Sequence, residues 1–379
     1  MSLIDPISVP ADAARDGRVR PGVRLGPAPA PGDERLRVGL LRADRLAMPD
    51  FQRWAALGRE AAPGNVFAAD WLMAPAFVRA GQSLRLAVVE GAAGDWLGAL
   101  PLGPGLLAPR SPLPVLRSWH CPVGGIGTPL LRPGSERAFW AALLARLDQR
   151  PGMAAGLIAR SLPLDDPATL ALADLCAEQG RLIHRGPGTL RRARIAGRPG
   201  DPRAAEVFEK RLTQLEERLA ARLGPVRLAL HNRAGDCEPW LAAFLALERG
   251  GGIARPEPEA LRSVVREGHR RGAVRLASLS AGETIVAMSA WLVSDGRGYG
   301  LACAHDARMA ACSPHRLLMR RVTALAALEG LTRFDVGAGC DPGTDALWPE
   351  RREFADFAIA IGGAARRALF ARAIRAQWS

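Results

Sequence analysis

A chain of 379 residues with 48% hydrophobic and 23% charged residues has ordinary globular composition, which excludes a disordered, collagen-like or disulfide-scaffold protein and leaves room for two or three domains. Charge is the unusual feature: 51 Lys+Arg against 38 Asp+Glu, a net +13, with Lys210 as the only lysine. A basic balance points to an anionic partner, although arginine in place of lysine beside abundant Ala, Gly and Pro is also the mark of a G+C-rich bacterial genome.

The opening MSLIDPISVPADAARDGRVRPG has no basic stretch followed by an apolar one and does not read as a signal peptide, and no window is apolar enough to span a membrane. Cys121, Cys176, Cys237, Cys303, Cys312 and Cys340 are widely scattered. Cys312 and His315 have a ligand-like spacing but no second pair completes a site, so no metal is expected. The thiols read as reduced and mostly buried, in a cytoplasmic protein.

Residues 1–37 are rich in Pro, Gly and Arg without periodicity and read as a flexible lead-in. A first folded block, 38–165, follows. It opens with a helix over Phe67–Arg79 and two antiparallel strands, Leu84–Val89 and Trp96–Leu102, joined by GAAGD. After a Gly/Pro-rich loop and the string SWHCPVGGIGTPLL comes a helix over Ser135–Asp148, with Phe139, Trp140, Leu143, Leu144 and Leu147 on one stripe. Ala155–Arg160 reads as a buried strand. GGIGTPLL lacks the Lys-Ser/Thr of a phosphate loop and fits no dinucleotide fingerprint. It reads as a turn lining a groove between halves, with Trp119 and His120 as groove residues.

The second block, 166–379, leads with a helix near Thr169–Gln179 and a segment, Arg181–Arg198, holding six arginines and no acid. A charged helix over 206–223 turns Phe208, Leu212, Leu215 and Leu219 inward. Helices Pro239–Arg249 and Pro258–Arg270 precede three antiparallel strands, Ala273–Leu279, Thr284–Val293 and Gly298–His305, linked by SAGE and SDGR turns. Ser313-Pro314 starts a helix that Gly330 stops, with Leu318, Val322 and Leu325 as its buried stripe. TRFDV and Phe354–Ile361 read as strands, and a basic helix over Ala364–Gln377 ends the chain. The order of elements in 236–361 is echoed more faintly in the first block. The fold class expected is therefore α/β (α+β), a mixed sheet flanked by helices and built as two similar halves.

A strand whose loop opens directly into a helix N-terminus is suited to an anion, because the first turn's amides and the dipole point at it. Here the segment is HDARMAACSPHRLL: Arg308 and Arg316 flank it, and small Ala310, Ala311 and Ser313 allow close approach. A pyrophosphate fits; a plain capped helix accounts for the same signals.

Several strings, in order over 60–361, resemble the GNAT superfamily of N-acetyltransferases, and within it the branch typified by the cellulose-biosynthesis protein CelD and BioF-like proteins. They are NVFAADWL at 65–72, IGTPLL at 126–131, WLAAFLALE at 240–248, AHDARMAACSPHRLL at 304–318 and FDVGAGCDPGTDALW at 334–348. The resemblance implies two tandem GNAT-like halves and a mixed sheet that splays between its fourth and fifth strands, with acetyl-CoA or another acyl-CoA in the gap. The pantetheine would run along Gly298–His305, past Ala304, and the pyrophosphate would sit where the helix opens. Asp306, Ser313, Pro314 and His315, with Asp335, Gly337 and Gly339 beyond them, carry over from the family's motifs. The Gly-rich pyrophosphate loop is Ala-rich here. GGGIARPE at 250–257 lacks the family's Trp and Lys, and Asp345-Ala346-Leu347-Trp348 stands where relatives have a Tyr-Lys pair.

Acyl transfer needs a base for the amine and a proton for the leaving thiolate. The catalytic candidates are Asp306, His305, Glu248 and Tyr299; the cofactor-binding candidates are Ala304, Arg308, Ser313, Pro314, His315 and Arg316. The expected function is acyl transfer to an amine of a small molecule, amino sugar or envelope precursor. Fem-like transferases, which take aminoacyl groups from tRNA, are one alternative. The clusters Arg181–Arg198 and Arg366, Arg367, Arg372, Arg375 could then track phosphates, but no aromatics interleave them, so nucleic acid is a partner only under that alternative. A non-catalytic role in a polysaccharide-synthesis assembly is the other.

Overall fold

The computed structural model describes residues 36–377 apart from 62–65, 109–110, 121–124, 197–200, 232–235, 252–257 and 339–346. Most of the expected lead-in 1–37, together with Cys121, Cys340, Gly339, Asp345 and most of GGGIARPE, lies outside the described residues.

The first strand, β1 (Arg37–Arg42), is followed by α1 (Met48–Glu60) and α2 (Asp70–Ala80). The expected hairpin is β2 (Arg85–Glu90) and β3 (Trp96–Leu106), and β4 (Pro114–Ser118) and the two-residue β5 (Leu130–Leu131) follow it. Next is α3 (Glu136–Gln149), which buries the five apolar residues of the expected stripe, and then β6 (Gly156–Pro163). Asp166 accepts a hydrogen bond from the Ala168 amide and starts α4 (Pro167–Glu178). The Arg-rich run forms a long strand, β7 (Ile183–Ile195), and Asp201 caps α5 (Pro202–Leu223) in the same way that Asp166 caps α4.

The second series opens with β8 (Val226–Leu230), α6 (Glu238–Gly250) and α7 (Pro258–Arg270). The meander β9 (Val274–Ala281), β10 (Thr284–Ser294) and β11 (Arg297–His305) matches the three strands read from the sequence. Asp306 opens a 3-10 turn over Ala307–Cys312, and α8 (Pro314–Leu328) follows it. Last come β12 (Arg333–Ala338), β13 (Glu350–Ala360) and α9 (Ala364–Gln377).

Among the described residues these strands form one continuous sheet in the order β1-β2-β3-β4-β6-β13-β7-β12-β11-β10-β9-β8, with β5 pairing β3 off this path. Two adjacent pairs are parallel, β4 with β6 and β11 with β12. The series strand, two helices, two strands, strand, helix, parallel strand occurs twice, so the architecture is duplicated. Between the repeats lie β13 and β7. The C-terminal strand β13 lies between β6 and β7, and Phe370 of α9 is buried against Val115, Ile158 and Ala358, so residues 350–377 pack on the N-terminal strands. Helices α6 and α7 cover one face of the second repeat, over Met288, Leu292 and Tyr299; α5 and α8 cover the other, over Leu279 and Trp291.

Arginines from both Arg-rich segments are used inside this framework. Arg181 grips Asp148 at 2.7 and 3.0 Å and donates to the Ala360 carbonyl, while Arg367 binds the same carboxylate at 2.6 Å. Arg366 donates to the carbonyls of Gly152 and Ala154. These guanidiniums tie α3, the segment leading into β7 and α9 together, whereas Arg194, Arg372 and Arg375 are exposed.

The glycine-rich loop lies where β4 and β6 part. The Gly127 amide donates to the Ser161 carbonyl at 3.0 Å, the Ser118 hydroxyl accepts from the Arg160 amide, and Ile126 is buried with Tyr299 and Phe354 of the second repeat. A Cβ at Gly127 would fall 1.8 Å from the Arg160 carbonyl oxygen. Gly127→Ala is therefore expected to cost about 2–4 kcal/mol, read as a lower urea midpoint; an unchanged midpoint would show that the loop is not wedged there.

Candidate active site

In the second repeat β11 and β12 are parallel neighbours over only three residue pairs, Arg297 with Arg333, Gly298 with Phe334 and Tyr299 with Asp335. Gly300 brings the Val336 backbone to within 3.0 Å of where a Cβ would stand, and beyond it the pairing ends while β11 continues to His305. The first repeat shows the same geometry, with β4 and β6 paired only at Leu116–Leu157 and Arg117–Ile158. There the loop 125–131 fills the divergence. Among the described residues no equivalent segment fills the second, and Cys303, on this inner strand, is exposed, unlike Cys176, Cys237 and Cys312.

At the far end of β11 several expected residues converge. The His305 and His315 rings lie 5.1 Å apart, one ending the strand and the other in the first turn of α8. Glu248 is buried at the end of α6, and the backbone just past it, at Gly251, approaches the His305 carbonyl. Ser313 occupies the N-cap position expected for it, but in the left-handed region (φ 48°, ψ 53°) and without a side-chain cap hydrogen bond. A non-glycine residue held there is strained. The Ser313 hydroxyl caps no amide, while the Arg316 and Leu317 amides of the first turn donate to the Ser313 carbonyl at 2.9 and 3.3 Å. Ala304 is buried on the adjacent strand.

Asp306 is engaged locally. Its carboxylate accepts from the Arg308 amide at 2.9 Å and from the Arg308 guanidinium at 2.7–3.2 Å. The guanidinium holds the carboxyl below the usual carboxylate range, so this group serves as a turn cap, and Arg308 is directed at it.

Tyr299 stands apart from this cluster. Six residues of strand separate it from His305, about 20 Å at 3.3 Å per residue. Its buried ring meets Phe67 edge-on with centroids 5.8 Å apart, and burial raises the phenol's pKa, so it stays protonated. Opposite it in register is Asp335, only 2% exposed, which the sequence marked by motif but not as a catalytic candidate. The strand thus has two chemically distinct ends, two imidazoles and the first turn of α8 at one, and Tyr299 with its register partner Asp335 at the other.

His120, read as a groove residue, lies beside Gly127 with its Nε2 buried and without a hydrogen-bond partner among the described residues. Burial first, and then the nearby Arg160, depress the imidazole to about 4. The folded state therefore binds fewer protons than the unfolded chain between about pH 4 and 6.5, and stability rises with pH across that window. Acidification from pH 6.5 to 4 should remove at most about 3 kcal/mol through this group, and His120→Asn should flatten the dependence of the urea midpoint on pH; an identical profile would refute the assignment.

Residues 208–342 match the family model described as an acetyltransferase (GNAT) domain. No curated protein matches the sequence significantly. Among solved structures, FemX is similar with a TM-score of 0.56 at 12% identity, covering 87% of this chain and 98% of its own. L-PGS from Bacillus licheniformis aligns with a TM-score of 0.51 at 14% identity, over 86% of this chain and 96% of that one. The C-terminal domain of a putative lysylphosphatidylglycerol synthetase from Agrobacterium fabrum does so with 0.51 at 13% identity and the same coverages. At these identities the structures speak for the fold alone. The matched domain spans the second repeat up to the described end of β12.

Proposed function

We propose that this chain, a GNAT-fold transferase, uses an acyl-CoA as donor and transfers the acyl group to an amine. What carries this reading is the β11–β12 divergence, beyond which the chain runs on to a helix N-terminus without a side-chain cap. Ser313, Pro314, His315 and Arg316 would hold the pyrophosphate, with His305 and Glu248 behind them. Ala304 and the rest of β11 would carry the pantetheine toward Tyr299. On this reading His305 and Glu248 serve the phosphate end, and the chemistry falls at the other end of the strand. The residues 166–379 would form the donor-binding half, and 38–165 the half that supports it.

Bound acyl-CoA supplies an activated thioester. Asp335 takes a proton from the acceptor amine as the new C–N bond forms. Tyr299, kept protonated by burial, donates to the sulfur released as the C–S bond breaks. The proton is returned from Asp335 to Tyr299 through solvent once the products have left. The acceptor class of amino sugars and envelope precursors, the CelD-like placement and a cytoplasmic setting belong to the same proposal. Among the described residues no helix is long and apolar enough to cross a membrane.

Acetyl-CoA and longer acyl-CoAs should raise the thermal midpoint, and Arg316→Ala should weaken that binding about tenfold. With a panel of amines and thiol release as readout, Tyr299→Phe should lower kcat roughly 10- to 100-fold with acyl-CoA affinity unchanged. No stabilisation by any acyl-CoA at millimolar concentration overturns the reading.

A second reading keeps the fold and changes the donor to an aminoacyl-tRNA, supported by likeness to FemX and to the lysylphosphatidylglycerol synthetase domain. The internal use of Arg181, Arg366 and Arg367 counts against an extended RNA-binding surface. Steeply salt-dependent binding of bulk tRNA would favour it.

A further inference from the structure

The C-terminal helix turns an uncommon set of residues outward. The exposed positions of α9 include Ala365, Ala368, Leu369, Arg372, Arg375 and Ala376, whose spacing places them on one stripe, while Phe370 and Ile374 point into the core. Arg366 donates to the carbonyls of Gly152 and Ala154, which fixes the turn 151–154 beside the start of the helix. Met153, in that turn, is 86% exposed and Leu369 54%. Arg150, just before the turn, is exposed as well.

No carboxylate answers these arginines. The segments that meet in the cluster under α9, residues 105–118, 149–158, 181–184 and 358–377, hold eight arginines and no Asp or Glu. Asp148, which adjoins them, is taken by Arg181 and Arg367. The guanidiniums of Arg150, Arg372 and Arg375 make no hydrogen bond or ion pair among the described residues. Elsewhere on the surface cations and acids interleave: Arg266 binds Glu238 and Arg270 binds Glu267 on α7, and Lys210 binds Glu206 on α5. Such mixing is the ordinary state of a solvated face. A face of one sign that also bears exposed apolar side chains has the composition of a contact with lipid, cations meeting phosphate and apolar ends reaching the acyl boundary. An RNA would meet the same cations but offers nothing to Met153 and Leu369, and Phe370, the aromatic ring of α9, is buried and closed to a base.

We propose that α9 and the turn at 150–153 dock this chain peripherally on an anionic lipid surface, with Arg150, Arg372 and Arg375 on the lipid phosphates and Met153 and Leu369 at the acyl boundary. Phe370 and Ile374 stay in the core, so the helix does not leave the protein to insert. The contact is shallow, reversible and weakened by salt. It goes beyond the acyl-transfer reading and does not depend on which donor the site takes.

The test mixes the full chain with vesicles of phosphatidylcholine, or of phosphatidylcholine and phosphatidylglycerol in equal parts, and measures the protein that floats with the lipid at low and high salt. Binding is expected only with phosphatidylglycerol, and it should fall steeply as salt rises. Arg372→Gln/Arg375→Gln should weaken it about tenfold, and Met153→Ser about fivefold. Both variants change exposed side chains, and an unaltered thermal midpoint shows that each is folded. Arg211→Gln/Arg218→Gln removes the same charge from the exposed face of α5 and should leave binding intact. No binding to the mixed vesicles, or undiminished binding in either variant of the α9 surface, overturns the proposal. An equal loss in the α5 variant does so too, because it traces binding to net charge. Salt-dependent binding of bulk tRNA that requires Arg372 and Arg375, in a chain that ignores lipid, would overturn it by assigning the face to nucleic acid. No acyl-CoA enters the assay, so failure here leaves the donor reading untouched.

Discussion

Backbone groups of β4 and β11 lose a neighbour partway along each strand, and much of the molecule is arranged around that loss. A buried amide or carbonyl without a partner is expensive, so each divergence needs water, a side chain, another segment of chain or a ligand. The first repeat uses its own residues: the Ser118 hydroxyl meets the Arg160 amide and Gly127 meets Ser161. In the second the strand leads into a helix whose opening amides carry no side-chain cap. One architecture, used twice, thus offers one self-sealed cleft and one that is suited to an external group.

The loop that seals the first cleft also packs against the second repeat. Ile126, on the plugging loop, packs with Tyr299 and Phe354, and the neighbouring Gly125 carbonyl receives Arg191. Phe67, just ahead of α2, reaches the Tyr299 ring. The first repeat therefore packs directly against the Tyr299 face of the second.

Much of this was legible from local pattern. The α3 stripe, the β9–β11 meander with its short turns, and the Ser-Pro start of α8 all follow from periodicity and capping, and the structure places them within a few residues of expectation. What was not legible depends on partners distant in sequence. The Arg-rich run carries no apolar alternation, since β7 is flanked by β13 and β12 and its arginines meet carbonyls, carboxylates and an aromatic ring. A strand defined by what its neighbours supply has no signature of its own. The same holds for the site: the helix opening was visible in one contiguous string, whereas the Tyr299–Asp335 pairing joins strands more than thirty residues apart. Asp306 is the opposite case: an acid two residues before an arginine in a turn pairs locally.

The position of β13 has a consequence for how the chain matures. Strands that complete the first repeat are not all made with it: β6 is paired by a segment near the C-terminus. During synthesis the first repeat waits with an unpaired, apolar strand edge until residues 350–360 have emerged, and its core is completed only when Phe370 of α9 arrives. Vectorial, half-by-half folding is therefore closed to this protein; the duplicated halves mature together, and the interval before the last strand is added is when the nascent chain is most open to aggregation or chaperone capture.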